Sequence, residues 1–283
     1  MKNTKKFLYI IISITLCLMI TATTVMSISM IFDAIEPTSG RQDIDSDIDT
    51  PDNGDSGTGN KQYTKRVALT FDDGPHVTRT KAIVDELNKY GYHATFFVVG
   101  NRVDGTEYSG GNAMKYAYDA GNEIAIHGYT HSVYYNSCTD SEYNAELSNT
   151  VKAIQKYIPD YEVKLMRPIG GAITTERVEE CDYSVIMWNV DSLDWKYKYS
   201  DSTAEGSKEK LDTIVNTVMS QVSDGSIILF HDIYQSTLDA TIEIIRQLHE
   251  QGYDIVTVSE LIGDDLQPGV RYSKGTPYKK EEE

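Results

Sequence analysis

Positive charge is what this chain is short of. Its 283 residues carry 26 lysines and arginines against 43 aspartates and glutamates, a formal net charge of −17. Nucleic acid and anionic membrane surfaces would repel such a balance, so neither is expected as the main partner. A neutral polymer such as a glycan is compatible. Cysteine is nearly absent: of three residues, Cys17 lies in an apolar run, which leaves Cys138 and Cys181 with one possible pairing. A disulfide between them would persist in an oxidising compartment, but spacing does not show that their backbones approach. No dinucleotide fingerprint and no phosphate-binding loop follows the first strand-like segment, which speaks against a nucleotide-binding sheet.

Charge also vanishes locally. Lys2, Lys5 and Lys6 form a basic head over 1–6, and from Phe7 to Phe32 no charged residue occurs. About 20 apolar residues cross a bilayer, whereas the apolar part of a cleaved signal is usually about 7–15 long. The run 7–32 is therefore read as a transmembrane signal anchor rather than a cleaved signal. Lysines before it and Asp33 and Glu36 after it put the remainder outside. Residues 33–62 are acidic and rich in Gly and Ser, a disordered linker whose coil reaches about 30 Å. Residues 266–283 read as a flexible tail.

What is present lies between, over 63–265. Strand-like and helix-like blocks alternate there: "RVALTF" before "RTKAIVDELNKYG", "HATFFVVG" before "NAMKYAYDAG", "NEIAIH" before "DSEYNAELSNTVKAIQKYI", "VKLMRP" before "TTERVEEC", "YSVIMWNVD" before "SKEKLDTIVNTVMSQV", "GSIILFHD" before "STLDATIEIIRQLHEQG", and "YDIVTV" before "SELIG". Gly91, Gly121 and Gly252 stand where a left-handed helix cap is wanted. The alternation predicts an α/β fold with a parallel sheet of about seven strands, closed as a barrel or open and doubly wound. Either way, function belongs at the C-terminal ends of the strands.

Chemistry collects at those ends. The first strand finishes in "TFDDGP", with Asp72 and Asp73 side by side. "AIHGYTH" offers His127 and His131 at i and i+4, "RPIGG" offers Arg167, "VDSLDW" offers Asp191, Asp194 and Trp195, and "IILFHD" offers His231. Only six histidines occur in the chain, so three of them at strand ends is a concentrated signal. Two imidazoles and one carboxylate suit a divalent ion with open positions for water and substrate. A second carboxylate beside the ligand could then take a proton from the water that the ion activates, which explains two adjacent acids.

These segments resemble, in order, the five motifs of the polysaccharide deacetylase family, carbohydrate esterase family four with its NodB homology domain. The resemblance implies a distorted (β/α) barrel over about 63–262 and hydrolysis of N-acetyl groups on a glycan. It implies Asp72 as catalytic base, Asp73, His127 and His131 as metal ligands, and Arg167 as the residue orienting Asp72. It further implies Asp194 tuning His231 as general acid, Trp195 and Leu229 lining an acetyl pocket, and the backbone N–H at Gly170 facing the oxyanion. The expected metal is Zn²⁺, with Co²⁺, Ni²⁺ or Mn²⁺ as alternatives. Two positions depart from the common pattern: Gly128 stands where many relatives have Ser or Thr, and Gly170 where many have Tyr. The first leaves both ligands in place, and the second removes an aromatic wall of the groove. Tyr129, Tyr134, Tyr135, Tyr197, Tyr199 and Tyr234 lie near the motifs and could stack on sugars. The expected substrate is N-acetylglucosamine of peptidoglycan; chitin oligomers, another poly-N-acetylglucosamine, acetyl-xylan, and an inactive glycan-binding role are the alternatives.

Overall fold

The computed structural model describes residues 65–105 and 110–275. In chain order these form β1 (Lys65–Asp72), α1 (Arg79–Asn88), β2 (Thr95–Val98), α2 (Gly100–Asp104), α3 (Gly111–Asp119), β3 (Glu123–Ile126), α4 (Asp140–Gln155), β4 (Leu165–Met166), α5 (Thr175–Glu179), β5 (Ser184–Ile186), β6 (Val190–Asp191), α6 (Ser207–Gln221), β7 (Ile227–His231), α7 (Gln235–Glu250), β8 (Tyr253–Ile255), α8 (Val258–Ile262) and β9 (Arg271–Tyr272). Their ladders are parallel, and the sheet order is β6-β7-β1-β2-β3-β4-β5-β9, with β8 pairing the first half of β1.

The period of two along each strand sorts side chains between two layers. Val67, Leu69 and Phe71 of β1 face the helices, where the Phe71 ring stacks between Phe96 at 5.0 Å and Phe230 at 5.5 Å. Ala68 faces the inside of the curved sheet with Phe97, Ala125, Leu165, Ile186 and Ile227, and Val258, Leu261 and Ile262 of α8 join this inner cluster. Both faces of β1 are thus covered, which is why it reads as a continuous apolar run rather than an alternating one. Local signals set the helix starts: Thr139 with Glu142 and Thr257 with Glu260 form capping boxes at α4 and α8. Gly91, Gly121 and Gly252 all take the positive φ expected of them.

Two expectations need correction. "YSVIMWNVD" is not one strand: β5 pairs β4, whereas β6 pairs β7 at the opposite end of the sheet. Residues 187–189 therefore carry the chain across the seam of the barrel, and no ladder joins β5 to β6 among the described residues. Side chains instead pin the crossing segment to its neighbours. Arg167 Nε donates to Ile186 O and Arg167 Nη2 to Met187 O, both at 3.0 Å, and Asn189 Oδ1 accepts from Ile227 N at 2.8 Å.

The second correction concerns the tail. Residues 266–275 are not loose: β9 pairs β5, Lys274 bridges to Ser226, and Gly275 N donates to Gly225 O at 2.8 Å. Leu266 and Tyr272 also pack on the inner cluster. The open edge of β5 needs a hydrogen-bonding partner, and this segment supplies it. The rest of that tail, the anchor and the linker lie outside the described residues. Among the described residues no helix is long and apolar enough to cross a membrane. Cys138 and Cys181 are both free thiols, taking hydrogen bonds from Arg177 Nη1 at 2.8 Å and Tyr143 Oη at 3.4 Å.

Candidate active site

At the C-terminal rim of the sheet the strand ends converge on a cleft of about 510 Å³, lined among others by Asp72, Asp73, His127, His131, Leu229 and His231. Asp72 closes β1, and Asp73 follows it in a left-handed turn, φ 69°, so the two carboxylates leave the backbone in different directions. One ligand atom from each of Asp73, His127 and His131 lies within 4.8 Å of the others. Asp73 Oδ1 is 2.7 Å from His131 Nε2 and 3.4 Å from His127 Nε2, yet it is buried and has no properly directed hydrogen bond. Three ligand-type atoms this close together, one of them a buried oxygen without a directed hydrogen bond, fit a shared cation. The tautomer agrees: His127 Nδ1 donates to Arg167 O at 2.9 Å, leaving Nε2 as the coordinating atom. Burial on its own would raise the Asp73 pKa, but the two imidazoles close beside it, His127 and His131, outweigh it and hold the carboxyl far below its usual range.

Asp72 is held differently. Arg167, fully buried, donates through Nη1 to Asp72 Oδ1 at 2.7 Å and to Thr70 Oγ1 at 2.8 Å. Its guanidinium lies 4.2 Å over the Phe97 ring. Asp72 Oδ2 is left on the His127 side, 3.7 Å from Nε2.

Across the cleft, His231 Nδ1 pairs with Asp194 Oδ1 at 2.8 Å. Asp194, fully buried, also accepts from Trp195 N at 2.7 Å, His231 N at 2.7 Å and Thr237 Oγ1 at 2.6 Å. Burial opposes charge on His231, but the Asp194 carboxylate overrides it and the imidazole is pushed up to about 9. His231 is therefore protonated at neutral pH, with Nε2–H as its remaining donor.

Both glycine departures have structural explanations. A Cβ on Gly128, φ 82°, would fall 2.9 Å from Tyr135 Oη and 3.0 Å from Glu146 Oε2. The space is needed because Glu146 accepts from Tyr129 N at 2.6 Å, Thr130 N at 2.9 Å and Thr130 Oγ1 at 2.7 Å, clamping the loop that carries His131. At Gly170 a Cβ would meet only Tyr134, at 3.7 Å. Tyr134 lines the same cleft and is 52% exposed; Trp195 also lines it and is 47% exposed.

The catalytic, metal-ligating and pocket residues named from the motifs thus lie in or directly behind this cleft, whereas of the six tyrosines only Tyr134 lines it and Tyr135 is fully buried, which removes it as a sugar platform. Sequence reasoning missed Thr70, Glu146, Thr237 and Asp232. Asp232 is fully buried; Thr80 Oγ1 donates to its Oδ2, and its Oδ1 has no partner. Burial comes first among the causes that push its pKa up to about 7, with the Asp73 charge adding to it and the Thr80 bond opposing.

Comparison with known proteins shows the family. A polysaccharide deacetylase family profile matches residues 59–185. The chain is 40% identical over 197 residues to the peptidoglycan-N-acetylmuramic acid deacetylase PdaC of Bacillus subtilis, spanning 70% of this chain but 38% of that protein. A solved structure of PdaC gives a TM-score of 0.62 at 38% identity, over 70% of this chain and 89% of that one. A Bacillus cereus peptidoglycan-N-acetylglucosamine deacetylase is 32% identical over 70% of this chain and 88% of its own length. A family 4 acetyl xylan esterase from Clostridium thermocellum, solved with a cobalt ion, gives a TM-score of 0.60 at 30% identity, over 69% and 89% of the two chains. The chain belongs to the polysaccharide deacetylase family.

Proposed function

We propose that the chain is a metal-dependent hydrolase that removes N-acetyl groups from a cell-surface glycan, with peptidoglycan as substrate and acetate and a free amino sugar as products. One observation carries the reading: Asp73, His127 and His131 converge beside Asp72, opposite the His231–Asp194 pair, in a single cleft. The peptidoglycan deacetylases among its relatives support the substrate class.

Asp73, His127 and His131 would hold the ion, Zn²⁺ first, with Co²⁺, Ni²⁺ and Mn²⁺ as alternatives. When bound, it lowers the pKa of a water and polarises the amide carbonyl. The remaining work falls to this chain's side chains. Arg167 fixes Asp72 so that Oδ2 takes the proton of the attacking water. The backbone N–H of Gly170 faces the oxyanion that develops as water adds to the carbonyl carbon. His231 gives its Nε2 proton to the departing nitrogen as the carbon–nitrogen bond breaks, and Asp194 stabilises the imidazolium beforehand. Trp195 and Leu229 wall the acetyl methyl and exclude water from it. The apolar run 7–32 and the acidic stretch 33–62 would tether this domain outside the membrane, within reach of the wall.

The test is acetate release from N-acetylglucosamine oligomers and from isolated peptidoglycan by the full chain, before and after chelation. Turnover that disappears with the metal and returns with Zn²⁺ is the expected result. Full turnover after thorough stripping, or a metal-loaded chain that binds these glycans without releasing acetate, would overturn it. Fractionation should find the full chain with membranes; recovery of a shortened chain in the medium would overturn the anchor.

A further inference from the structure

Beside the cleft lies a second cavity, of about 290 Å³, with Arg79 and Lys198 in its wall together with Tyr199, Tyr234 and Gln235. Tyr234 of its wall neighbours the reaction centre, its ring 6.3 Å from that of His231. The charge here runs against the rest of the molecule. In a chain of net charge −17, neither Arg79 nor Lys198 pairs with a carboxylate among the described residues. Arg79 Nη1 meets His76 Nε2 at 2.6 Å and donates to Ile233 O at 3.1 Å, and Nε donates to Gln235 Oε1 at 3.4 Å. These neutral partners fix the guanidinium without cancelling its charge. Lys198 Nζ sits 5.4 Å over the Tyr234 ring. The one carboxylate on the adjoining turn of α7, Asp239, is taken by Tyr199 Oη at 2.7 Å and Gln235 Nε2 at 2.9 Å, not by either cation. His76 registers the resulting field: burial first, then the charges of Arg79 and Arg102, lower its pKa.

Uncompensated cations in the wall of a cavity are a place for an anion. We infer that the Arg79–Lys198 cavity is a subsite for a carboxylate carried by the glycan, on an acidic sugar or on a peptide attached to it. The inference rests on the deacetylase reading and sharpens it, because peptidoglycan carries such groups whereas chitin and acetyl-xylan backbones do not. Arg79 supplies the fixed, planar donor and Lys198 the movable one, so together they select a substituted strand and set its register along the cleft. Tyr199 and Tyr234 offer faces for the apolar part of the substituent.

The experiment compares three oligomers of equal length with the metal-loaded full chain. One is neutral poly-N-acetylglucosamine, one alternates with a sugar bearing a free lactyl carboxylate, and in one that lactyl group is amidated by a peptide with its own carboxylates. Lys198→Met and Arg79→Gln should each raise KM for one or both acidic oligomers by about tenfold and leave kcat, and KM for the neutral oligomer, within about twofold. Which acidic oligomer responds identifies the source of the carboxylate. Lys198 is exposed, so its replacement does not threaten folding. Equal losses on all three oligomers, or no change on any, would overturn the subsite. Equilibrium binding of the same oligomers to Asp72→Asn protein separates the two readings. Preference for acidic oligomers that Lys198→Met abolishes supports the subsite even without turnover, and binding that ignores the carboxylate rejects it even if acetate is released.

Discussion

Asp72 and Asp73 are neighbours in sequence with opposite surroundings: one faces a buried guanidinium, the other two imidazoles. Replacing each should separate their roles. Asp72→Asn is expected to keep its metal by elemental analysis while turnover falls by about 10²–10⁴-fold; near-normal turnover would reject Asp72 as base. His231 gives a pH signature. Its raised pKa keeps the proton at neutral pH and loses it as pH climbs through about 9, so turnover should decline along a basic limb. Asp194→Asn removes the carboxylate that holds the proton, and that limb should move to lower pH in a pH–rate profile. Asp232 acts on stability instead. Its carboxyl, with an ordinary pKa of 3.8, is raised to about 7 in the fold, so the folded state binds the extra proton between those values. Its contribution is complete below the lower value and is lost as pH rises through about 7. In the metal-free chain, Asp232→Asn should therefore flatten the fall in melting temperature from about pH 4 to pH 7. An unchanged slope would reject the assignment.

At the scale of elements, β1, β3 and β7 deliver their reactive residues as their sequences foretell, because a buried parallel strand is an apolar run whose first polar residues stand at its exit. The supporting groups were harder to read. Glu146 sits in "DSEYNAELSNT", where an acid on a helix looks solvated. It lies three residues after Tyr143 and four before Thr150, both on the buried face of α4, so its spacing carried the signal that its residue type concealed. Asp232 and Thr237 gave no such pattern, since their partners Thr80 and Asp194 are distant in sequence. Glu146→Ala should loosen the loop bearing His131 and weaken metal affinity by about 10–100-fold, measured by competition with a chromophoric chelator. Affinity equal to the parent would mean the loop holds its shape unaided. Tyr134 stands where the missing side chain of Gly170 leaves room. Tyr134→Ala should raise KM for glycan oligomers with kcat little changed, and an unaltered KM would remove it from the groove.

The described residues form a sheet bent far enough that β6 at one end and β5, next to the other end, are joined by three residues of chain rather than by a ladder. Alternating blocks could announce a parallel sheet, but not where "YSVIMWNVD" breaks, because no glycine or proline separates β5 from β6 and their partners, which decide the break, lie elsewhere in the chain. The same holds for β9, two residues long, which has strand character only because β5 offers an edge. Truncation before residue 266 should therefore lower the melting temperature more than truncation after residue 275; equal melting temperatures would make the 266–275 pairing incidental.

Arg167 touches both halves of this design, gripping the carbonyls of the crossing segment with one side of its fork and Asp72 with the other. Splitting such a buried pair costs about 3–5 kcal/mol. Any breathing that parts the barrel's edges must also let go of the proton acceptor, so the enzyme would fall silent on partial opening, well before it denatures. Inactivation by mild heat or urea should run ahead of global unfolding and reverse promptly on return to native conditions.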